Sequence, residues 1–339
     1  MSNRPEPIRY SVVIPLLNEA AVLPALLARI DALLGRLDGP AEAILVDDGS
    51  TDATAAMVRA KALADPRYRL VGLSRNFGHQ PAITAGMDLA RGEAVVVMDA
   101  DLQDPPEVVL DLVAKWREGY QVVYAQRISR KGDSLFKRLT ARLFYSGLRR
   151  ITSIELIPNV GDFRLVDRKV LEAFRAMPER DRFVRGMFGW LGFRQAIVPF
   201  AREARAAGES KYPLWKMLRL AVNGLVGFSD MPLRIALWLG MAVSGLALVY
   251  GAYVLVSALT GDGGLVAGWA STIVIVSFLC GLNMMLTGVV GLYVGRIHSE
   301  VKARPLYVIN ETAGFERERP PADHPLADQY ERLTRFAAG

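Results

Sequence analysis

The protein has 339 residues, a net charge of +6 and a single cysteine, Cys280. One cysteine excludes an intrachain disulfide, and a chain of this length folds as one large or two ordinary domains. The net charge alone would suit a nucleic acid, but the cations gather around two long uncharged segments. We therefore predict an anionic lipid membrane, and no nucleic acid, as a partner.

The first hundred residues alternate apolar runs with helical patterns, which predicts a mainly parallel sheet of the α/β class. The N-terminal segment MSNRPEPIRY has no apolar core, so we expect no secretory signal peptide. Strands are predicted at residues 10–17 and 41–48 and at YRLVGLS, EAVVVMD and GYQVVYAQR, with helices at residues 19–34, STDATAAMVRAKALA and QPAITAGMDLAR.

Polar side chains follow three of the predicted strands at the point where each strand ends. Because parallel sheets bind ligands beyond the carboxyl ends of their strands, we expect these side chains to share one site. They are Asn18, Glu19, Asp47, Asp48, Asp99 and Asp101. Ser50 and Thr51, which follow the second strand, are candidate caps for the next helix.

The segment VVVMDADLQDPP ends a buried strand with closely spaced carboxylates. In an extended chain Asp99, Asp101 and Gln103 point the same way. Three oxygen ligands on a strand end suit Mg²⁺ or Mn²⁺, which keep open positions for phosphate oxygens. The other interpretation is a strand followed by a polar loop that the two prolines terminate.

Two stretches combine an apolar face with basic residues. For residues 134–151, a helix at the membrane interface and a helix packed on the soluble domain both stay open. For residues 212–231 the interface is favoured, because only about one helical turn separates this stretch from the first uncharged segment.

The uncharged segments, residues 235–261 and 263–295, each exceed the roughly 20 residues that cross a bilayer. They predict two transmembrane helices, at residues 233–259 and 267–295. Basic residues lie outside the hairpin and none lies in its connector TGDGG, so both termini are expected in the cytoplasm, at the inner membrane. The GxxxG pair Gly291 and Gly295 favours close helix contacts and a homo-oligomer. The predicted division is a catalytic domain at 1–211, an interfacial helix at 212–231, the transmembrane hairpin at 232–298 and a cytosolic tail at 299–339.

The segments SVVIPLLNEA, ILVDDGSTDAT, SRNFGHQPAITAGMDLARGEAVVVMDADLQDPPE, GDFRLVDRKV and AGESKY together resemble the signatures of glycosyltransferase family 2. Within that family they resemble the polyprenyl-phosphate branch, which includes dolichol-phosphate mannose synthases and bactoprenol glucosyltransferases. The resemblance implies a GT-A type catalytic domain. It also implies an inverting transferase that moves a hexose, with glucose as the best guess, from a UDP-sugar to undecaprenyl phosphate.

By motif position, the resemblance implies a donor site at the strand ends. Asp47 would accept a hydrogen bond from the uracil ring, and Asp162 would orient a sugar hydroxyl or act as a base; both roles stay open. The implied metal ligands are Asp99, Asp101 and Gln103. The implied nucleotide-sugar residues are Pro15, Asn18, Glu19, Asp47, Asp48, Asp99 and Ala100, and the implied catalytic residues are Asp101, Arg127 and Asp162.

A lipid phosphate acceptor needs cations more than it needs a base, because a phosphate monoester with a second pKa of about 6 is largely dianionic at neutral pH. Arginine forks suit phosphate oxygens. The acceptor-phosphate candidates are Arg127, Arg138, Arg202, Arg205 and Lys211. His79 is interpreted as a surface or cap histidine in preference to a diphosphate contact.

Other functions make different demands on the sequence. A processive polysaccharide synthase would carry a Gln-x-x-Arg-Trp motif and more spans, and the sequence has neither. A non-catalytic membrane subunit that senses a nucleotide sugar predicts a degraded metal site, whereas the DxDxQ residues are all present. A dehydrogenase would need a G-x-G-x-x-G turn after the first strand, where PLLNEA stands instead.

Overall fold

The computed structural model describes residues 7–128, 160–180, 182–201, 231–259 and 269–315. These residues fall into two units, one built around a β-sheet and one made of two long helices. The elements of the sheet unit are β1 (Tyr10–Leu16), α1 (Leu23–Arg36), β2 (Ala41–Asp47), α2 (Thr54–Ala64), β3 (Tyr68–Leu73), α3 (His79–Leu89), β4 (Ala94–Val97), α4 (Val108–Arg117), β5 (Val122–Arg127), β6 (Val160–Asp167), α5 (Arg168–Arg175), α6 (Val184–Trp190), β7 (Gln195–Phe200) and β8 (Ile309–Ala313).

The strands form one mixed sheet in the order β7-β5-β6-β4-β1-β2-β3-β8. Parallel pairing joins β4, β1, β2 and β3 in the centre and joins β5 to β7 at one side. The strand β6 runs antiparallel to both β4 and β5, and β8 runs antiparallel to β3. The predicted α/β class with a mainly parallel sheet is therefore confirmed.

Both faces of the sheet are covered by helices, which explains why the central strands read as continuous apolar runs. Every residue of β1 and of β2 is buried. The helix α1 packs on one face through a stripe that includes Leu23, Leu26 and Ile30. Residues of α3, among them Ala82 and Ile83, belong to the core on the opposite face.

The helix α3 lies very close to the central strands at Gly86. A Cβ atom at this position would lie 2.2 Å from Cγ1 of Val13 and 2.9 Å from Cγ2 of Val46. Only a residue without a side chain allows this approach. The contact fixes α3 on the sheet, and its first residue, His79, then lies beyond the strand ends.

The second unit consists of α7 (Met231–Leu259) and α8 (Trp269–Val301). The segments Ile235–Tyr253 and Phe278–Val301 are long and apolar enough to cross a bilayer, judged by length and composition. The helix α8 continues past its predicted end at residue 295, to Val301. The basic amphipathic stretches at 134–151 and 212–230 lie outside the described residues, so their assignment stays a prediction.

The segment after α8 returns to the sheet, which the division at residue 211 did not anticipate. The strand β8 pairs with β3 at one edge of the sheet. Tyr307 is buried, and its hydroxyl donates to Oδ2 of Asp88 at 2.7 Å. Arg59 of α2 forms an ion pair with Glu311 of β8. At least residues 305–315 therefore belong to the sheet unit and not to a separate tail.

Candidate active site

A cavity of about 260 Å³ opens at the carboxyl ends of β1, β2 and β4. Parallel neighbours bring these ends together, so residues that are far apart in the sequence share its wall. Six of the predicted site residues lie here: Pro15, Glu19, Asp48, Asp99, Ala100 and Asp101. The remaining lining residues are Leu16, Leu17, His79 and Ala82.

Asn18 and Asp47 organise the loop beside this cavity. Asn18 adopts a left-handed conformation with φ of 56°, and its Oδ1 accepts a hydrogen bond from the Thr51 N–H at 2.8 Å. Oδ2 of Asp47 accepts from the Ser50 N–H at 3.2 Å. Oδ1 of Asp47 is buried and has no hydrogen-bond partner among the described residues, so it can accept a donor from a bound molecule.

The predicted caps Ser50 and Thr51 do not cap α2, which begins at Thr54 without a side-chain cap from its N-cap residue. Ser50 Oγ instead accepts a hydrogen bond from the Asn18 N–H at 2.9 Å. The polar residues after β2 therefore bind the neighbouring loop after β1, and this contact draws the two strand ends together.

Both carboxylate oxygens of Asp48 accept backbone hydrogen bonds from the segment that leads into α3. The donors are the N–H groups of Phe77 at 2.8 Å and Gly78 at 2.9 Å. Burial raises the pKa of Asp48, the two N–H groups oppose that rise, and the neighbouring Asp47 adds to it. Asp48 thus fixes the start of α3 while it lines the cavity.

Asp99 and Asp101 follow β4, and both carboxylates line the cavity. Oδ1 of Asp99 is buried and accepts no hydrogen bond from the described residues. Burial raises the pKa of Asp99 and the charges of Asp162 and Asp101 add to this, while His79 and Arg127 oppose it. Oδ1 of Asp101 accepts from the Gln103 N–H at 3.1 Å. A cation placed here would relieve the repulsion.

The described residues contain no group of three or more His, Cys, Asp or Glu side chains arranged to hold a metal ion. This does not count against a divalent ion, because Mg²⁺ and related ions commonly bind through one or two carboxylates, waters and substrate phosphates. Oδ1 of Asp99, which accepts no hydrogen bond from the described residues, and the adjacent carboxylate of Asp101 fit such an ion. The predicted third ligand, Gln103, has a described contact through its backbone only.

Asp162 of β6 is the centre of a buried polar cluster. Its carboxylate receives Nη2 of Arg164 at 2.8 Å and Nε of Arg185 at 3.1 Å, both on Oδ1. Oδ2 lies 3.2 Å from Nε2 of His79 and accepts from Nε2 of Gln80 at 3.4 Å. Burial would raise the pKa of Asp162, but the hydrogen bond from His79 and the charges of Arg164 and Arg185 hold it well below its usual value. The group therefore stays ionised at neutral pH.

His79 contacts the carboxylates of the site, while its side chain is 45% exposed, which agrees with its interpretation as a surface residue. Besides its contact with Asp162, its Nε2 lies 3.5 Å from Oδ1 of Asp99. The capping position of α3 belongs to Gly78, which has a φ of 106°. Burial lowers the pKa of His79, but the hydrogen bond to Asp162 and the charges of Asp99 and Asp162 outweigh it, so the pKa is raised.

Comparison with known proteins assigns the chain to a family. The family described as "Glycosyl transferase family 2" matches residues 11–175. The "Uncharacterized glycosyltransferase YkcC" of Bacillus subtilis (strain 168) is 45% identical over 312 residues, which cover 92% of this chain and 96% of that protein. The chain belongs to glycosyl transferase family 2. The predicted resemblance and GT-A type fold class are thereby confirmed.

Several relatives within glycosyl transferase family 2 carry more specific names. The "Prophage bactoprenol glucosyl transferase homolog" of Escherichia coli (strain K12) is 38% identical over 302 residues, covering 89% of this chain and 98% of its own. A crystal structure of glucosyl-3-phosphoglycerate synthase from Mycobacterium tuberculosis with Mn²⁺, UDP-glucose and phosphoglyceric acid aligns with a TM-score of 0.45 and 24% identity, over 66% of this chain and 81% of that one.

The acceptor-phosphate candidates of this family 2 transferase are only partly described. Arg127 ends β5, and its Nη2 lies 3.5 Å from both carboxylate oxygens of Asp104. Its charge also acts to lower the pKa of Asp99, a residue of the acidic cavity. The other candidates lie outside the described residues: Arg138, Arg202, Arg205 and Lys211.

Four residues of this site were not singled out from the sequence: Gln80, Asp104, Arg164 and Arg185. Arg164 stands two positions after Asp162 on one strand, so the alternation of side chains could have indicated that both face the same way. Arg185 reaches Asp162 from α6, and Gln80 reaches it from α3, over 23 and 82 residues respectively. No local sequence pattern predicts contacts over such separations.

Proposed function

We propose that the protein is a metal-dependent, inverting glycosyltransferase that moves a hexose from a UDP-sugar to polyprenyl phosphate, such as undecaprenyl phosphate, at the cytoplasmic face of the membrane. The observation that carries the proposal is the meeting of Asp48, His79, Asp99 and Asp101 in one cavity of a family 2 domain. The relatives named bactoprenol glucosyl transferase, at 37–38% identity, support a lipid phosphate as acceptor and glucose as the sugar.

The donor nucleotide would lie over the ends of β1 and β2. The buried Oδ1 of Asp47 has an open acceptor position, which suits the ring N–H of uracil. Asn18 holds the two loops together and so shapes this end of the site. The other predicted donor residues, Pro15, Glu19, Asp48 and Ala100, line the adjoining cavity.

A divalent ion, Mg²⁺ or Mn²⁺, would be held by Asp99 and Asp101, with Gln103 as the predicted third ligand. When bound, such an ion neutralises charge that builds up on the departing diphosphate. The raised pKa of Asp99, which burial and neighbouring carboxylates cause, supports this because a cation would restore the ionised form. His79 contacts Asp99 and would orient that carboxylate.

Asp162 would position cations and would not accept a proton. A general base works best with a pKa near the operating pH, whereas the arginines around Asp162 hold its pKa far lower. The phosphate acceptor needs no strong base, since it is already anionic at neutral pH. Asp162 would instead hold Arg185 and His79 at the edge of the cavity, where their charges face the donor phosphates or the incoming acceptor.

Arg127 is the described residue best suited to receive the acceptor phosphate. Its guanidinium lies within electrostatic reach of Asp99 and hence of the metal position. An arginine there would reduce the repulsion between the acceptor phosphate and the donor diphosphate. Arg138, Arg202, Arg205 and Lys211 stay predicted partners for the same headgroup.

The two apolar helices would anchor the enzyme in the inner membrane as a hairpin, with both termini in the cytoplasm. Their length and composition support spanning, and the cations outside the hairpin support this orientation. A homo-oligomer through Gly291 and Gly295 also stays a prediction. The hairpin would keep the catalytic unit at the bilayer, where the lipid headgroup can reach it.

The direct test supplies purified full-length protein with Mn²⁺ or Mg²⁺, undecaprenyl phosphate and a panel of UDP-sugars. We expect one UDP-hexose to give a lipid-linked sugar with inverted anomeric configuration. Asp101→Asn should lower transfer by at least about 100-fold with an unchanged melting temperature, because charge stabilisation at the leaving group is lost. Asp111→Asn, at an exposed position of α4, is the control. Near-normal turnover of Asp101→Asn would rule out the metal assignment.

A further inference from the structure

Arg127 is paired with a fully buried carboxylate outside the acidic cavity. The side chain of Asp104 is 0% exposed, and that of Arg127 is 29% exposed. Both Asp104 oxygens lie 3.5 Å from Nη2 of Arg127. A buried carboxylate is unfavourable without a cation nearby, so this contact fixes one end of the guanidinium. An arginine has five N–H donors, so the pair leaves further donors for another anion.

A glycine on the neighbouring strand makes room for the same guanidinium. The strand β6, which pairs antiparallel with β5, carries this residue, Gly161. A Cβ atom at Gly161 would lie 2.9 Å from Nη2 and 3.4 Å from Cζ of Arg127. Any side chain there would force the guanidinium to move.

Both residues that contact this arginine lie close in the chain to residues of the acidic site. Asp104 stands three residues after Asp101, and Gly161 directly precedes Asp162. Nε of Arg127 is buried and has no hydrogen-bond partner among the described residues. An oriented guanidinium with a donor that no described residue uses suits the oxygens of a phosphoryl group.

We propose that Asp104 and Gly161 are positioning residues that hold Arg127 in the orientation in which it binds phosphoryl oxygens. Asp104 supplies the anion that anchors Nη2, and Gly161 supplies the space the guanidinium occupies. The phosphoryl group belongs either to the donor diphosphate or to the lipid phosphate. The inference rests on the proposed function and extends it to two residues that touch neither substrate.

The test is a double-mutant cycle in the full-length enzyme, with variants Asp104→Asn, Gly161→Ala, Arg127→Gln and both combinations with Arg127→Gln. We measure KM and kcat for UDP-sugar and for undecaprenyl phosphate, and the affinity for UDP with Mn²⁺ by calorimetry. Arg127→Gln should raise, by about 100-fold, either the dissociation constant of UDP or the KM for undecaprenyl phosphate, since charge-assisted hydrogen bonds to phosphate are lost. Asp104→Asn and Gly161→Ala should each raise it by about 10-fold alone, and by less than about 2-fold in the Arg127→Gln background.

The source of the phosphoryl group follows from which constant changes. Weaker UDP binding in all three single variants assigns Arg127 to the donor diphosphate, and a raised KM for undecaprenyl phosphate alone assigns it to the acceptor. If the wild type transfers no sugar to the lipid, the proposed function fails, while coupling in UDP binding would still support the positioning.

Matched controls separate positioning from folding. Asp88→Asn removes another mostly buried carboxylate that neighbours an arginine, and Gly35→Ala adds a methyl group where no atom lies within 4 Å. Neither should change the substrate constants. The proposal would be overturned if Asp104→Asn raised the substrate constants by the same factor in the wild-type and in the Arg127→Gln background. So would unfolding of both Asp104→Asn and Gly161→Ala while Arg127→Gln stays folded, because the two residues would then serve the fold alone.

Discussion

Nε2 of His79 lies 3.2 Å from Oδ2 of Asp162, although 83 residues separate them in the chain. The contact joins the first residue of α3 to β6, an antiparallel strand inserted between β4 and β5. It brings a group whose pKa is raised next to one whose pKa is lowered. The pair is therefore charged on both sides in slightly acidic solution.

Asp162→Asn should lower the free energy of unfolding by about 3–5 kcal/mol near pH 6, because the buried Arg164 and the partly exposed Arg185 lose their shared anion. The lowered pKa of Asp162 stabilises the fold above the usual aspartate value of 3.8, and this contribution is lost as the pH falls below it. The raised pKa of His79 stabilises below its usual value of 6.5, and this contribution is lost as the pH rises through the folded value.

The difference in melting temperature between wild type and Asp162→Asn should therefore be largest between about pH 4 and 6.5. Thermal unfolding in detergent with a chelator, at pH values from 3 to 9, measures it. A difference that stays flat across this range would contradict the assigned charges. Asp111→Asn serves as the control, since its carboxylate is exposed.

Asp99→Asn should leave the metal-free protein at least as stable as the wild type. Burial and the charges of Asp162 and Asp101 disfavour the ionised form of Asp99, so a neutral amide removes that cost. The same variant should lose the rise in melting temperature that Mn²⁺ gives the wild type. An undiminished rise with Mn²⁺ would mean that the ion binds elsewhere.

Gly86→Ala should destabilise the protein by about 1–3 kcal/mol, because the added methyl group would overlap Val13 and Val46 in the core. The shift of α3 should also displace His79 and lower transfer. Gly35→Ala, in open space on α1, should instead stabilise by up to about 1 kcal/mol through helix propensity. Chemical denaturation of both variants makes the comparison, and equal effects would contradict the close packing at Gly86.

A membrane-impermeant maleimide tests the predicted topology. In a Cys280→Ala background, the variant Asp262→Cys, with its cysteine between the two helices, should be labelled in intact bacterial cells. A cysteine in place of Leu63, which is 75% exposed in the sheet unit, should be labelled only after the cells are permeabilised. The reverse pattern would place the catalytic unit outside the cytoplasm.

The central half of the sheet could be predicted from the sequence because each strand is a short, continuous apolar run with a polar end. The gathering of Glu19, Asp48, Asp99 and Asp101 followed from one rule about parallel strands. Ser50 and Thr51 were assigned as caps because capping residues and loop-binding residues have the same chemistry. Only the position of Asn18 on a neighbouring loop decides between these roles.

The contacts across the sheet could not be predicted in the same way. Arg185 contacts Asp162, and Tyr307 contacts Asp88, through tertiary packing. Such contacts produce no periodic pattern in the sequence. The strand β8 was missed because its sequence, INETA, is short and largely polar, as suits an edge strand.

The position of β8 in the chain has a consequence for biogenesis. The ribosome must complete both long apolar helices before this last strand is available, so the sheet acquires its outer strand only after the hairpin has been synthesised. A fragment that ends at residue 211 would leave the hydrogen-bonding groups of β3 open to other chains and should aggregate. Soluble production of the catalytic unit should therefore require residues 305–315 to be joined back to it.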